Sequence, residues 1–129
     1  MVHGKKYLSF IDTRPFDTAW KALRLTDDDH ADLEDSILDS PLRHPVIPGT
    51  DSVRKMRYAP PSWNTGKRGA VRVCYVCFLE LGTIVLLTVY PKNVNDSVSA
   101  GDRRLINQAV ANLRASLQHF RDTKGRYKS

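Results

Sequence analysis

Cysteine is nearly missing from this chain. Of 129 residues, only Cys74 and Cys77 carry a thiol. Two cysteines cannot build the several bridges that hold a small secreted scaffold together. Their C-x-x-C spacing invites a zinc or redox reading, but they lie in AVRVCYVCFLE, which reads as a strand. Residues three apart on a strand point to opposite faces. No second Cys/His pair lies close in sequence, so the pair is not read as a metal or redox site and no cofactor is expected. Long apolar runs are also missing, and none approaches the length that spans a bilayer. Met1–Asp12 holds Lys5 and Lys6 but no long apolar segment before a small-residue cleavage site. No signal peptide is read there, and the cytoplasm is the expected location. Histidine is sparse and scattered, with His3 near the N-terminus, His30 in an acidic helix, His44 in a loop and His119 near a helix end. A mechanism that pairs two imidazoles needs them within reach of one substrate, and this spacing does not suggest it.

The most informative absence is acidic. After Asp51 no Asp or Glu occurs until Glu80. Into that gap fall Arg54, Lys55, Arg57, Lys67, Arg68 and Arg72. The whole chain is +6, but residues 1–51 are net −4 and residues 52–129 net +10. Like charges gathered this closely lower stability unless an anion is meant to sit among them. A basic half-surface fits nucleic acid, an anionic membrane or an acidic protein.

What is present reads as one α+β domain over residues 1–129, at 41% hydrophobic and 26% charged. Tyr7–Ile11 is a short apolar stretch that suits a first strand. In TRPFDTAWKALRL, Pro15 suits a first helical turn and Phe16, Trp20 and Leu23 recur at helical spacing. TDDDHADLEDSILDS has Thr26 as N-cap and three Asp in the first turn, where the helix dipole favours anions. Leu33, Ile37 and Leu38 give it an apolar face, and Pro41 stops it. So short a connection predicts a helical hairpin. Strands are expected over Ser52–Ala59, Ala70–Glu80 and Thr83–Tyr90, the last two joined at Leu81-Gly82 by a tight turn, so the sheet is expected to be a twisted antiparallel one of three to four strands. A long C-terminal helix begins at Ser99, its stripe set by Ile106, Val110, Leu113, Leu117 and Phe120. The basic tail, residues 121–129, is expected to fray.

Strand alternation sorts the charges. Lys55 and Arg57 share a face with Val53, while Arg54 goes with Met56 and Tyr58. Arg72 shares a face with Cys74, Val76 and Phe78. Tyr90 and Lys92 share a parity. If helices cover one sheet face, the other can collect Lys55, Arg57, Arg72, Tyr90 and Lys92 in one patch. Any single Lys or Arg is most simply a solvated surface cation. The set is not, because central strand positions are not where solvated lysines collect. Trp63, in the loop PPSWNTGKRG, suits a stacking platform for a base or an anchor in the core. Tyr58 and Tyr75 read as core.

FIDTRPF, LTDDDHADLEDSILDSP, VIPGTDSVRKMRYA, GKRGAVRVCYV and IVLLTVYPKN follow one another in that order. Together they resemble the RelE superfamily, and most of all its HigB-type branch, the toxins of bacterial toxin–antitoxin pairs. The resemblance covers residues 8–96. It implies the RelE-like fold of a helical hairpin, a twisted antiparallel sheet and a C-terminal helix. It also implies metal-independent cleavage of mRNA on translating ribosomes, and a cognate antitoxin, here a HigA-like helix-turn-helix protein. DNA would be met only through the toxin–antitoxin complex, and no membrane is implied. By position, Lys55 and Arg57 match the basic strand residues of the family site, Arg72 the arginine after the loop, and Tyr90 and Lys92 the Y-x-K at the end of the last strand. Arg54, Trp63, Lys67 and Arg68 are the further RNA-contacting candidates. Three departures stand out: Val71 where an aromatic residue often precedes the arginine, Pro91 where a small residue is common, and a longer C-terminal helix.

The chemistry is self-consistent. RNA carries its own nucleophile, the ribose 2′-hydroxyl. An enzyme must take its proton, stabilise a dianionic phosphorane and protonate the leaving 5′-oxygen. Lys55, beside Arg54 and Arg57, is the candidate base, because crowded cations disfavour one another's charge and an arginine does not release its proton. Arg57 and Arg72 suit bidentate phosphate contact. Either Tyr90 or Lys92 would be the acid. The alternative is a basic module that binds RNA or an acidic partner without cleaving; a ribosomal structural protein fits the acidic N-terminal half less well.

Overall fold

The computed structural model describes residues 8–63, 70–94 and 99–126. Its elements are β1 (Ser9–Asp12), α1 (Arg14–Ala22), α2 (Asp27–Asp39), β2 (Val53–Tyr58), β3 (Val71–Phe78), β4 (Thr83–Pro91) and α3 (Ala100–Arg126). Thr13 caps α1, its hydroxyl accepting from Phe16 N, with Pro15 in the first turn. Arg24 at φ +59° ends that helix, with Leu25 N donating to Trp20 O at 3.2 Å. A left-handed residue is how a chain stops a helix and turns sharply. The turn lets α2 start within a few residues, and Thr26 and Asp29 form a reciprocal capping box there. The expected hairpin is present. Its inner face carries Phe16, Trp20, Leu33 and Ile37.

The sheet order is β1-β4-β3-β2. β2, β3 and β4 form the expected antiparallel meander, but β1 pairs with β4 in parallel, so the sheet is mixed. The β3–β4 pairing follows from its connection, because a tight turn permits only antiparallel neighbours. Two helices separate β1 from β2, so no turn dictates how β1 runs. Gly82, at φ +59°, closes the β3–β4 connection.

Two cores flank the sheet. One joins α1 and α2 to Met56, Tyr58, Val71, Val73, Tyr75, Ile84, Leu86 and Val89. The other joins Val110 of α3 to Val53, Cys74, Val76, Phe78 and Val85, with Ile106, Leu113 and Leu117 packed against it. Cys74 and Cys77 belong to opposite cores, as the strand reading requires. Ser99 caps α3, its hydroxyl accepting from Asp102 N at 3.1 Å. Asn107 fastens the helix to the loop before β2, accepting from Asp51 N at 2.6 Å and donating to Gly49 O at 3.1 Å. Gly49 permits this approach. Its φ is +84°, and a Cβ there would lie 2.5 Å from Arg103 Cδ. α3 continues through Arg126, into the segment expected to fray.

Asp29 holds α2, β2 and the turn after β2 together. Its carboxylate accepts from Thr26 N at 3.0 Å, from Ser62 N at 3.0 Å and from the Ser62 hydroxyl. Its carbonyl accepts from Tyr58 Oη at 2.9 Å. Burial alone would raise the carboxyl's pKa, but the hydrogen bonds from Ser62 and Thr26 outweigh it and hold the group below its ordinary value. Asp29→Ala should therefore cost about 2–3 kcal/mol at neutral pH, as expected for donors stripped of a charged acceptor. A group lowered in the folded state stabilises fully above the ordinary Asp range and loses that contribution as pH falls through its folded value. Denaturant midpoints of wild type and variant should thus converge in acid. An undiminished gap there would contradict this account.

Candidate functional site

The α3 side of the sheet changes character along the strands. At one end Val53, Val76, Phe78 and Val85 lie in the α3 core. In the next two rows polar side chains appear. Lys55 pairs with Cys74 and Cys74 with Thr88. In the last row Arg57 pairs with Arg72 and Arg72 with Tyr90. Directly opposed strand residues have Cα atoms about 5 Å apart and point to the same side. Rows along a strand are roughly 7 Å apart. Lys55, Arg57, Arg72 and Tyr90 thus occupy a two-row patch across three strands. Lys92 follows directly on β4 and is exposed. Lys55, Arg57, Arg72 and Tyr90 share the α3 side, but helices cover both faces of the sheet, so the uncovered face on which the sequence reading depended is not present.

The electrostatics of this patch are unusual for a sheet. Two arginines opposed across a strand pair repel, which is unfavourable. No Asp or Glu occurs anywhere in β2, β3 or β4. Arg57 is exposed, whereas Lys55 and Arg72 are half-buried. The Arg72 Nη1 atom is buried without a hydrogen-bond partner among the described residues. A buried donor left unmatched costs free energy. The row thus sets two guanidinium groups side by side on one face of the sheet.

The other candidates are distributed differently. Arg54 lies on the opposite face and its Nη1 donates to Leu42 O at 2.9 Å and His44 O at 2.7 Å. It holds the preceding loop along the edge of β2, where Lys55 N also donates to Pro45 O at 3.0 Å. Trp63 packs against the α1–α2 core. Lys67 and Arg68 lie outside the described residues, as does His3. Tyr58 and Tyr75 are core residues, as read. Tyr58 donates to Asp32 Oδ2 at 2.7 Å, and burial together with that carboxylate pushes its phenol well above the usual range. Burial pushes Tyr75 up to about 12. His30 bonds Asp12 at 2.9 Å, His44 stands edge-on to Tyr75, and His119 lies beside Thr123. These three imidazoles sit on separate parts of the fold. Thr88, which shares a row with Lys55, was not marked by the sequence. Its one signal is a hydroxyl in an otherwise apolar run, TIVLLTVYP.

No family model matches the chain. Among solved structures it is similar to a mutant of the E. coli toxin RelE in the free state, in which two arginines are replaced by alanine. The two are 13% identical, the match covers 67% of this chain and 85% of that one, and the TM-score is 0.48. At those values the likeness decides nothing about the site. Among the described residues no helix is long and apolar enough to cross a membrane.

Proposed function

We propose that this chain is the toxin of a toxin–antitoxin pair, a HigB-type endoribonuclease that cuts mRNA on the translating ribosome. The observation that carries the reading is the Arg57–Arg72–Tyr90 row with Lys55 beside it, on strands that hold no carboxylate. Arg57 and Arg72 grip the non-bridging oxygens of one phosphate and hold the phosphorane's charge as it develops. Lys55 takes the 2′-hydroxyl proton. The 2′-oxygen bonds to phosphorus, the bond from phosphorus to the 5′-oxygen breaks, and Tyr90 or Lys92 gives that oxygen a proton. The products are a 2′,3′-cyclic phosphate and a free 5′-hydroxyl. Proton transfer typically contributes about 10²–10⁴ in rate, and each preorganised donor about 10²–10³. The partner is an antitoxin with an acidic segment that neutralises the basic half, in the cytoplasm.

Expression of the chain alone should arrest growth and leave transcripts cut within open reading frames, with 5′-hydroxyl ends. Normal growth and intact transcripts with soluble protein present would remove the enzyme reading. A basic module that binds without cleaving would then be the better description.

A further inference from the structure

β3 alternates without interruption. Val71, Val73 and Tyr75 face the α1–α2 core, and Cys74, Val76 and Phe78 face α3. β4 does not. Tyr75 pairs with Leu86 and Cys74 with Thr88, so Leu87 is one residue too many, a β-bulge. Before it, Ile84 and Leu86 enter the α1–α2 core. After it, Val89 enters that core and Tyr90 packs on the α3 side. Plain alternation would send Thr88 and Tyr90 the way of Ile84 and Leu86, and would leave Val89 beside Arg72. The bulge therefore turns Tyr90 and Thr88 onto the cationic face, since a one-residue shift exchanges the faces of every residue beyond it.

A bulge disturbs the ladder, so its backbone groups need other partners. Here one residue meets the carbonyls of Leu86 and Leu87. The Thr13 hydroxyl donates to Leu86 O at 3.0 Å and to Leu87 O at 3.1 Å, sharing its proton between the two. Thr13 N also donates to Leu86 O at 3.1 Å. The same hydroxyl accepts from Phe16 N at 3.3 Å, which caps α1. Thr13 thus fastens the start of α1 to the displaced stretch of β4. We propose that Thr13 is a positioning residue. It locks the Leu87 bulge and so fixes Tyr90 opposite Arg72 for the reaction described above. The inference rests on that reading for its rate prediction, but not for its geometry.

Three substitutions separate the clamp from the cap. Thr13→Ser keeps both. Thr13→Asp keeps an N-cap acceptor but has no proton for the carbonyls. Thr13→Val loses both. Single-turnover cleavage by folded Thr13→Val and Thr13→Asp should fall about 10²-fold, the scale of a small misplacement at a reacting centre. RNA affinity should stay within about threefold, because a loss confined to the chemical step is one of transition-state contact. Thr13→Ser should restore the rate. A cap alone would leave Thr13→Asp at the wild-type rate, and that result would overturn the proposal. Nuclear Overhauser contacts between the Tyr90 ring and the Arg72 side chain supply a readout that needs no catalysis. They should be present in wild type and Thr13→Ser and be lost in Thr13→Val and Thr13→Asp. Their persistence in the last two, or their absence from wild type, would overturn the clamp. A wild type that shows these contacts yet cuts no RNA would overturn only the enzyme reading.

Discussion

Arg72→Met should make the protein more stable and nearly inactive. The native guanidinium lies opposite Arg57 across the strand pair and carries a buried, unmatched Nη1. Methionine has a comparable stem, no charge and no donor. Its gain should be about 1 kcal/mol, the order of one buried unsatisfied donor plus one like-charge strand pair. RNA cleavage should fall by about 10²–10³, as for loss of one preorganised donor. A second measurement fixes the cause. Inorganic phosphate should raise the wild-type melting temperature more than that of Arg72→Met, because only a ligand bound to the folded state stabilises it. Strain at Arg72 serves function only if the variant is both firmer and slower. A destabilised variant would mean that the arginine is a structural member of the sheet, and the site would have to be sought elsewhere.

Most of the fold was legible because local signals agreed with it. Thr26 as a cap, Pro15 in a first turn and Gly82 at a strand connection are read from neighbouring residues and satisfied by neighbouring residues in the fold. The α3 stripe is read from its own spacing, and Ile106, Val110, Leu113 and Leu117 do pack on the sheet while Phe120 is exposed. The parallel β1 was not legible, because its pairing with β4 is decided by packing across two helices. The patch was legible in part. Clean alternation in β2 and β3 put Lys55, Arg57 and Arg72 on one face. Arg54 was half legible. Its separate face followed from alternation, but its bonds to Leu42 and His44 carbonyls depend on how a loop folds back. Tyr90 reached the patch for a reason that periodicity does not contain. The bulge breaks the alternation of β4, and its lock, Thr13, lies 73 residues from the Leu86 carbonyl that it holds.

On the proposed reading, one sheet face would serve both stability and chemistry. α3 covers the rows that contain Val53, Val76, Phe78 and Val85, where burial stabilises the fold. Its core also reaches Cys74 and Tyr90 in the next two rows, where Lys55 and Arg72 are half-buried and Arg57 is exposed. On that reading, rigid strands would hold the donors in place, so that little reorganisation accompanies the proposed reaction.

Lys55 is where base and phosphate contact can be told apart. Lys55→Ala removes charge and proton acceptor together, so it cannot separate the two. Lys55→Arg keeps the positive charge, and its guanidinium does not deprotonate in a protein. If Lys55 is the base, Lys55→Arg should bind RNA within about threefold of wild type yet cut it about 10²–10⁴-fold more slowly, the range that one positioned proton-transfer group contributes. RNA binding by Lys55→Ala should weaken and its salt dependence should flatten, because one phosphate contact is gone. A Lys55→Arg protein that cleaves at the wild-type rate would show that Lys55 supplies charge alone. Proton removal from the 2′-hydroxyl would then fall to another group of the patch.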